Sequence, residues 1–259
     1  MGKSTFAING SGKTWYAEFD PGSYDRATEA IDPSELTRIT LAKFYAPLTS
    51  IIDAGTLSTA MMGQSGKGAV QIGHKLKGWR EKYNEFWQGY VQACEADYDT
   101  IVIDTSSRLW NMAQNALRQR IQEEVQGVDQ AERLKRLEYQ EPNDQLTMMV
   151  NAAKETGKNL VLIAHEGEKW VKGEPTGEAK PDGWGDAAKE SDISLRFTIK
   201  NRLPVATVYK PEVLVKGWEI ENPTMQKADE FLRALALNQK LGFPAPESYQ
   251  GLMEAVKGL

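Results

Sequence analysis

Two short runs constrain this chain more than anything else in it. Thr100-Ile101-Val102-Ile103-Asp104 and Asn159-Leu160-Val161-Leu162-Ile163-Ala164-His165 are almost continuously apolar and rich in branched side chains. A strand with one wet face alternates apolar and polar residues. A strand covered on both faces does not, and such strands belong to parallel sheets wrapped by helices. Helical spacing precedes and separates the two runs. Trp79, Tyr83, Phe86, Tyr90, Val91 and Cys94 form one stripe, and Leu109, Met112, Ala116, Leu117 and Ile121 form a second. Leu146, Met149, Val150 and Ala153 form a third, with Gly157 placed to stop the helix. Further strands are expected at residues 15–20 and 39–45, the latter ended by Pro47. The alternation predicts an α/β fold with a mainly parallel sheet flanked by helices.

After His165 the pattern changes. Residues 166–189, rich in Gly, Lys, Glu and Pro, read as a mobile loop, and so do residues 53–78, where glycines recur. Residues 194–200 and 205–209, separated by Asn201-Arg202-Leu203-Pro204, read as a hairpin. Helices are expected over 224–237 and 247–256. The division this suggests is a core over 1–215 and a helical extension over 216–259.

Composition narrows the function classes. With 259 residues the chain can close a large core without staples. Cys94 is the only cysteine, which rules out an internal disulfide and a cysteine-rich zinc site. Two histidines, His74 and His165, leave little for a histidine metal site. A net charge of −5 argues against a general polyanion binder but leaves room for a local basic groove. No apolar run approaches the ~20 residues of a membrane helix. No signal-peptide core opens the chain, so a cytosolic location is expected.

Three motifs carry chemistry. The first run ends in Asp104, which places a carboxylate at the carboxyl edge of the sheet, where open α/β folds bind ligands. The alternative is that Asp104 caps the following helix. The second run ends in Ala164-His165-Glu166, whose imidazole could reach a terminal phosphate or could be a loop histidine without a ligand. The third motif occurs twice: Gly2-Lys3-Ser4-Thr5, and Gly10, Gly12, Lys13 and Thr14 within Ala7-Ile8-Asn9-Gly10-Ser11-Gly12-Lys13-Thr14. Gly-Lys-Ser/Thr ends a phosphate loop when a strand and glycine turn precede it and a helix follows. The second copy is followed by an alternating aromatic stretch that reads as a strand. The first copy predicts a short helix over residues 3–9, but four loop residues and their strand would have to lie upstream. Both copies could also be plain turns.

Taken in order, GKST, WYAEFDPGSYDRA, YDTIVIDTSSRLW, LEYQEPNDQL and LVLIAHE resemble phage-encoded RecA-like P-loop ATPases. These are AAA-family ATP-binding proteins, some of which act in single-strand annealing and recombination. The similarity runs from Gly2 to about Glu212. It implies an ATPase with Mg2+ as cofactor. Lys3 would contact the β- and γ-phosphates. Ser4 and Asp104 would hold Mg2+, and His165 would sense the γ-phosphate. Glu18 would orient the attacking water; its alternative is a surface carboxylate facing Lys13 or Arg26, and Asp20 is a second candidate for the role. The resemblance further implies a homo-oligomer completed by a basic finger from Arg196, Lys200, Arg202 or Lys210, for which a solvated strand face is the alternative. Single-stranded DNA would meet Lys67, Lys75, Lys77, Lys169 and Lys172, with Trp79 and Trp170 nearby. The rival expectation is a non-catalytic module of the same fold that binds DNA or a recombination partner.

Overall fold

The computed structural model describes residues 2–10, 12–29, 31–47, 76–124, 139–171, 174–210, 218–241 and 248–256. In chain order the elements are α1 (Lys3–Ile8), β1 (Thr14–Glu18), α2 (Ser23–Thr28), α3 (Pro33–Leu36), β2 (Ile39–Lys43), α4 (Trp79–Glu95), β3 (Thr100–Asp104), α5 (Ser106–Glu124), α6 (Gln140–Glu155), β4 (Asn159–Ile163), β5 (Glu166–Val171), β6 (Glu174–Pro181), α7 (Ala187–Glu190), β7 (Ser194–Lys200), β8 (Leu203–Lys210), β9 (Glu219–Glu221), α8 (Met225–Leu241) and α9 (Tyr249–Val256).

The first four strands form one parallel sheet in the order β2-β1-β3-β4. Every residue of β1 and β3 is buried, as expected of central strands covered on both faces. Side chains alternate between the two faces. Trp15, Ala17, Ile101 and Ile103 join the cluster formed with Phe86 and Tyr90 of α4, Leu109 and Met112 of α5, and Leu146 and Met149 of α6. Tyr16 and Val102 point the other way, onto Ala7 and Ile8 of α1 and Ala27 of α2. Gly157, at φ 66°, ends α6 in a left-handed turn: its N–H donates to the Lys154 carbonyl, and the Lys158 N–H reaches back to Ala153.

The expected loop at 166–189 is not a loop in the structure. β5 and β6 pair antiparallel, and α7 follows. Its strand residues are largely exposed, so no buried face imposes an apolar alternation that a sequence reader could detect. The expected loop at 53–78 lies outside the described residues except for its last three. β7 and β8 pair antiparallel across Asn201 and Arg202, both at positive φ, and β9 adds to β8. Leu203 and Pro204 belong to β8 rather than to the turn. Val208, Ile220, Phe231, Leu235 and Leu252 form a separate apolar cluster beneath β8, β9, α8 and α9. Among the described residues no helix is long and apolar enough to cross a membrane.

Candidate active site

In the β1–β3 register Glu18 lies beside Asp104. Both follow the alternation of Tyr16 and Val102, so both carboxylates belong to the α1 face of the sheet. Asp104 is 1% exposed. Its Oδ2 accepts from Ser4 Oγ at 2.7 Å and from the Tyr16 hydroxyl. Burial, and after it the Asp104 charge, pushes the Tyr16 phenol far above its ordinary value, so Tyr16 donates at any ordinary pH. Capping of α5 falls to Thr105, whose Oγ1 accepts from the Arg108 N–H at 3.3 Å. Asp104 is thereby left to face α1.

Glu18 is also 1% exposed, and both its oxygens are engaged. Oε1 accepts from the Tyr24 N–H at 3.0 Å and Ser23 Oγ at 3.4 Å, and Oε2 accepts from the Tyr45 hydroxyl. Burial and the neighbouring Glu18 carboxylate push the Tyr45 phenol up to about 12. Glu18 is not the surface carboxylate of the alternative reading. Lys13 pairs with Asp97, and Arg26 donates to the Pro21 carbonyl at 3.4 Å.

The ends of β3 and β4 and the start of α1 meet at the same edge. Lys3 Nζ donates to the Ala164 carbonyl at 2.7 Å, just past β4. The His165 N–H donates to Ser107 Oγ at 2.9 Å, and Ser107 Oγ donates to the Asp182 carbonyl at 2.7 Å. His165 Nε2 lies 3.7 Å from Asp20 Oδ2, so the imidazole faces the exit of β1. Gly2 precedes α1 at φ 134°, and Thr5 lies within α1, its carbonyl accepting from Asn9. Lys3, Ser4, Asp104, Glu18, Asp20 and His165 therefore gather at one edge, as sequence reasoning grouped them.

The second Gly-Lys-Thr lies at the opposite edge. Gly10 follows α1, and Thr14 opens a strand where a phosphate loop would open a helix. The Lys13 N–H donates to Asp99 Oδ2 at 2.7 Å, and Lys13 Nζ meets Asp97 at 2.5 Å. Each partner shifts the other: the Asp97 hydrogen bond raises the Lys13 ammonium, and Lys13 lowers Asp97. A Cβ on Gly12 would come within 2.2 Å of the Asp99 carboxylate. Carboxylates stand where this loop would have to cradle a phosphate.

Among the described residues neither Asp104 nor Glu18 has an ion pair, and no group of three or more His, Cys, Asp or Glu side chains could by itself hold a metal. Two buried carboxylates satisfied only by hydroxyls and one N–H leave negative charge uncompensated, and an oxygen pair such as Ser4 and Asp104 suits a hard divalent cation that draws its other ligands from a phosphate. Of the proposed basic residues, Arg196 makes a two-pronged pair with Glu166 and Lys200 meets Glu219. Arg202 is exposed at the β7–β8 turn, and the Lys210 side chain is outside the described set. Lys77 is exposed before α4, Lys169 lies on β5, and Trp79 packs against the core. Lys67, Lys75, Lys172 and the Trp170 side chain fall outside the described residues.

Sequence reasoning missed the donors around the two carboxylates: Tyr16, Ser23 and Tyr45, and Ser107 behind His165. Tyr16 was within reach, because a residue two before Glu18 on a strand shares its face. Tyr45 was not, because its role depends on the β1–β2 register. No curated protein matches this sequence. Residues 1–202 match the AAA domain family. That match spans most of the chain and agrees with the four-stranded parallel sheet and its carboxyl-edge cluster: the chain belongs to the AAA domain family of nucleotide-binding P-loop ATPases.

Proposed function

We propose that this protein binds Mg-ATP at the carboxyl edge of β1, β3 and β4 and hydrolyses it. The observation that carries this reading is the 2.7 Å contact between Ser4 Oγ and Asp104 Oδ2, with Lys3 one residue away. A hydroxyl and a carboxylate paired beside a lysine form the usual seat of a nucleotide's phosphates and their cation. Lys3, which holds the Ala164 carbonyl, exchanges that neutral acceptor for the β- and γ-phosphates. Ser4 and Asp104 hold Mg2+. When bound, Mg2+ neutralises phosphate charge and polarises the γ-phosphoryl group. Glu18 orients the attacking water, with Asp20 the second candidate, and His165 contacts the γ-phosphate.

Such a site also uses loop amides ahead of Gly2. Among the described residues β4 has no strand on its outer edge. The finer reading is a RecA-like ATPase of phage origin, working in the host cytoplasm on single-stranded DNA in recombination or replication. Exposed Arg202 is the residue we would place in a neighbouring subunit's site. A second reading, a non-catalytic module, finds support in the sealed state of Glu18.

Mg2+-dependent phosphate release from ATP, lost in Asp104→Ala, supports the enzyme. Its absence, with single-stranded DNA still bound, supports the module. Calorimetry of ATP binding on this chain and on its Lys3→Ala and Lys13→Ala variants separates the two lysines. Binding lost in Lys3→Ala and kept in Lys13→Ala is expected, and the reverse overturns the assignment.

A further inference from the structure

We propose that Tyr45 is a positioning residue that holds Glu18 in a water-excluded resting place and must release it before Glu18 can act. The inference rests on the reading of Glu18 as the residue that orients water. Three observations carry it. Glu18 is 1% exposed, so in this arrangement its carboxylate cannot touch a water lying on a substrate. Its Oε1 contacts, Ser23 and Tyr24, come from the start of α2, the next element after β1 in the chain. Among the described residues, the carboxylate's only contact from beyond β1 and α2 is the Tyr45 hydroxyl on Oε2, delivered from just past the end of β2. β2 is placed beside β1 by a five-residue parallel register ending at Glu18 and Lys43. The Phe44 N–H donates to the Glu18 carbonyl at 2.8 Å, which fixes where Tyr45 begins. Asp104 differs in this respect. Its partners, Ser4 and Tyr16, lie on the site face, and Ser4 is itself one of the groups that would meet a cation.

Release requires the Tyr45 hydroxyl to let go of Oε2 while the strand register stays put. One side-chain rotation of Glu18 toward Asp104 would do this without breaking the sheet. Removing the phenolic oxygen alone should mimic release, because the ring that packs there is retained.

The test compares phosphate release from Mg-ATP by the unmodified chain, Tyr45→Phe, and Tyr45→Phe combined with Glu18→Gln. In parallel, the Tyr45 Cζ resonance is followed by carbon NMR, assigned by its loss in Tyr45→Phe. The expected result is a kcat several-fold higher in Tyr45→Phe with KM unchanged, loss of hydrolysis in the double variant, and a Cζ resonance moved by Glu18→Gln. A Tyr45→Phe rate equal to or below that of the active unmodified chain overturns the proposal. A Cζ resonance unmoved by Glu18→Gln also overturns it, because the contact would then be missing in solution. If no chain hydrolyses ATP but Cζ moves with Glu18→Gln, the contact stands and it is the ATPase reading that fails.

Discussion

The two Gly-Lys-Ser/Thr sequences differ by little as strings, yet they sit at opposite ends of the same sheet. Lys3 opens a helix at the carboxyl edge, where its ammonium rests on a neutral carbonyl and its neighbour Ser4 touches a buried carboxylate. Lys13 precedes a strand at the amino edge, where its backbone and side chain are both held by aspartates. Its side chain is 60% exposed and that of Asp97 is 92% exposed. The difference teaches that the tripeptide does not carry a phosphate site by itself. A lysine with a neutral acceptor can exchange it for a phosphate. A lysine between carboxylates would first have to leave them, and their charge would repel the phosphate.

Asp104→Ala and Lys3→Ala should each lower Mg-ATP hydrolysis by about 100-fold or more, since on the proposed reading Lys3 meets the phosphate charge and Asp104 holds the cation that neutralises it. Steady-state phosphate release checks this, and near-normal turnover in either variant would end the assignment of the carboxyl edge. Tyr16→Phe should lower stability by about 1.5–3 kcal/mol, the range for a hydrogen bond to a charged group, read by urea unfolding. Gly12→Ala should cost about 1–2 kcal/mol, because φ is 86° and the new methyl would meet Asp99. A neutral result would mean that Asp99 does not crowd Gly12 in solution. Lys13→Ala should change hydrolysis by less than about twofold, since exposed pairs contribute little.

Alkaline pH should loosen the contacts of two phenols, Tyr83 and Tyr45. Burial holds Tyr83 at about 12 against an ordinary value of 10.0, and burial with Glu18 does the same for Tyr45. A group raised in the folded state stabilises fully below its unfolded value and loses that contribution as pH rises toward the folded one. Urea midpoints should therefore show no loss from these phenols up to about pH 10 and a decline between about pH 10 and 12. Tyr83→Phe should shallow that decline.

Much of the parallel core was legible because burial leaves a chemical signature. β1, β3 and the helical stripes of α4, α5 and α6 lie where apolar residues recur. Val91 shows the limit: helical spacing placed it in the α4 stripe, yet it is 48% exposed, since such spacing says which residues share a side but not how far the neighbouring helix reaches. β5 and β6 were illegible for the converse reason, as strands exposed to water need no apolar code. At the site, Asp104 and His165 could be read because strands announce their own ends. Their partners could not, because hydrogen bonds between Tyr16 and Asp104, or Tyr45 and Glu18, span 88 and 27 residues of chain.

Residue pattern alone specifies the local grammar: which segments alternate, which spiral, and which polar residues stand at strand ends. These follow from nearest-neighbour sterics and the burial of apolar surface, which act over a few residues. Which lysine stands near the buried carboxylates and which is held among aspartates depends on the folded sheet. Strand order and register set those distances, and electrostatic and hydrogen-bonding energies depend on distance in space rather than on position along the chain.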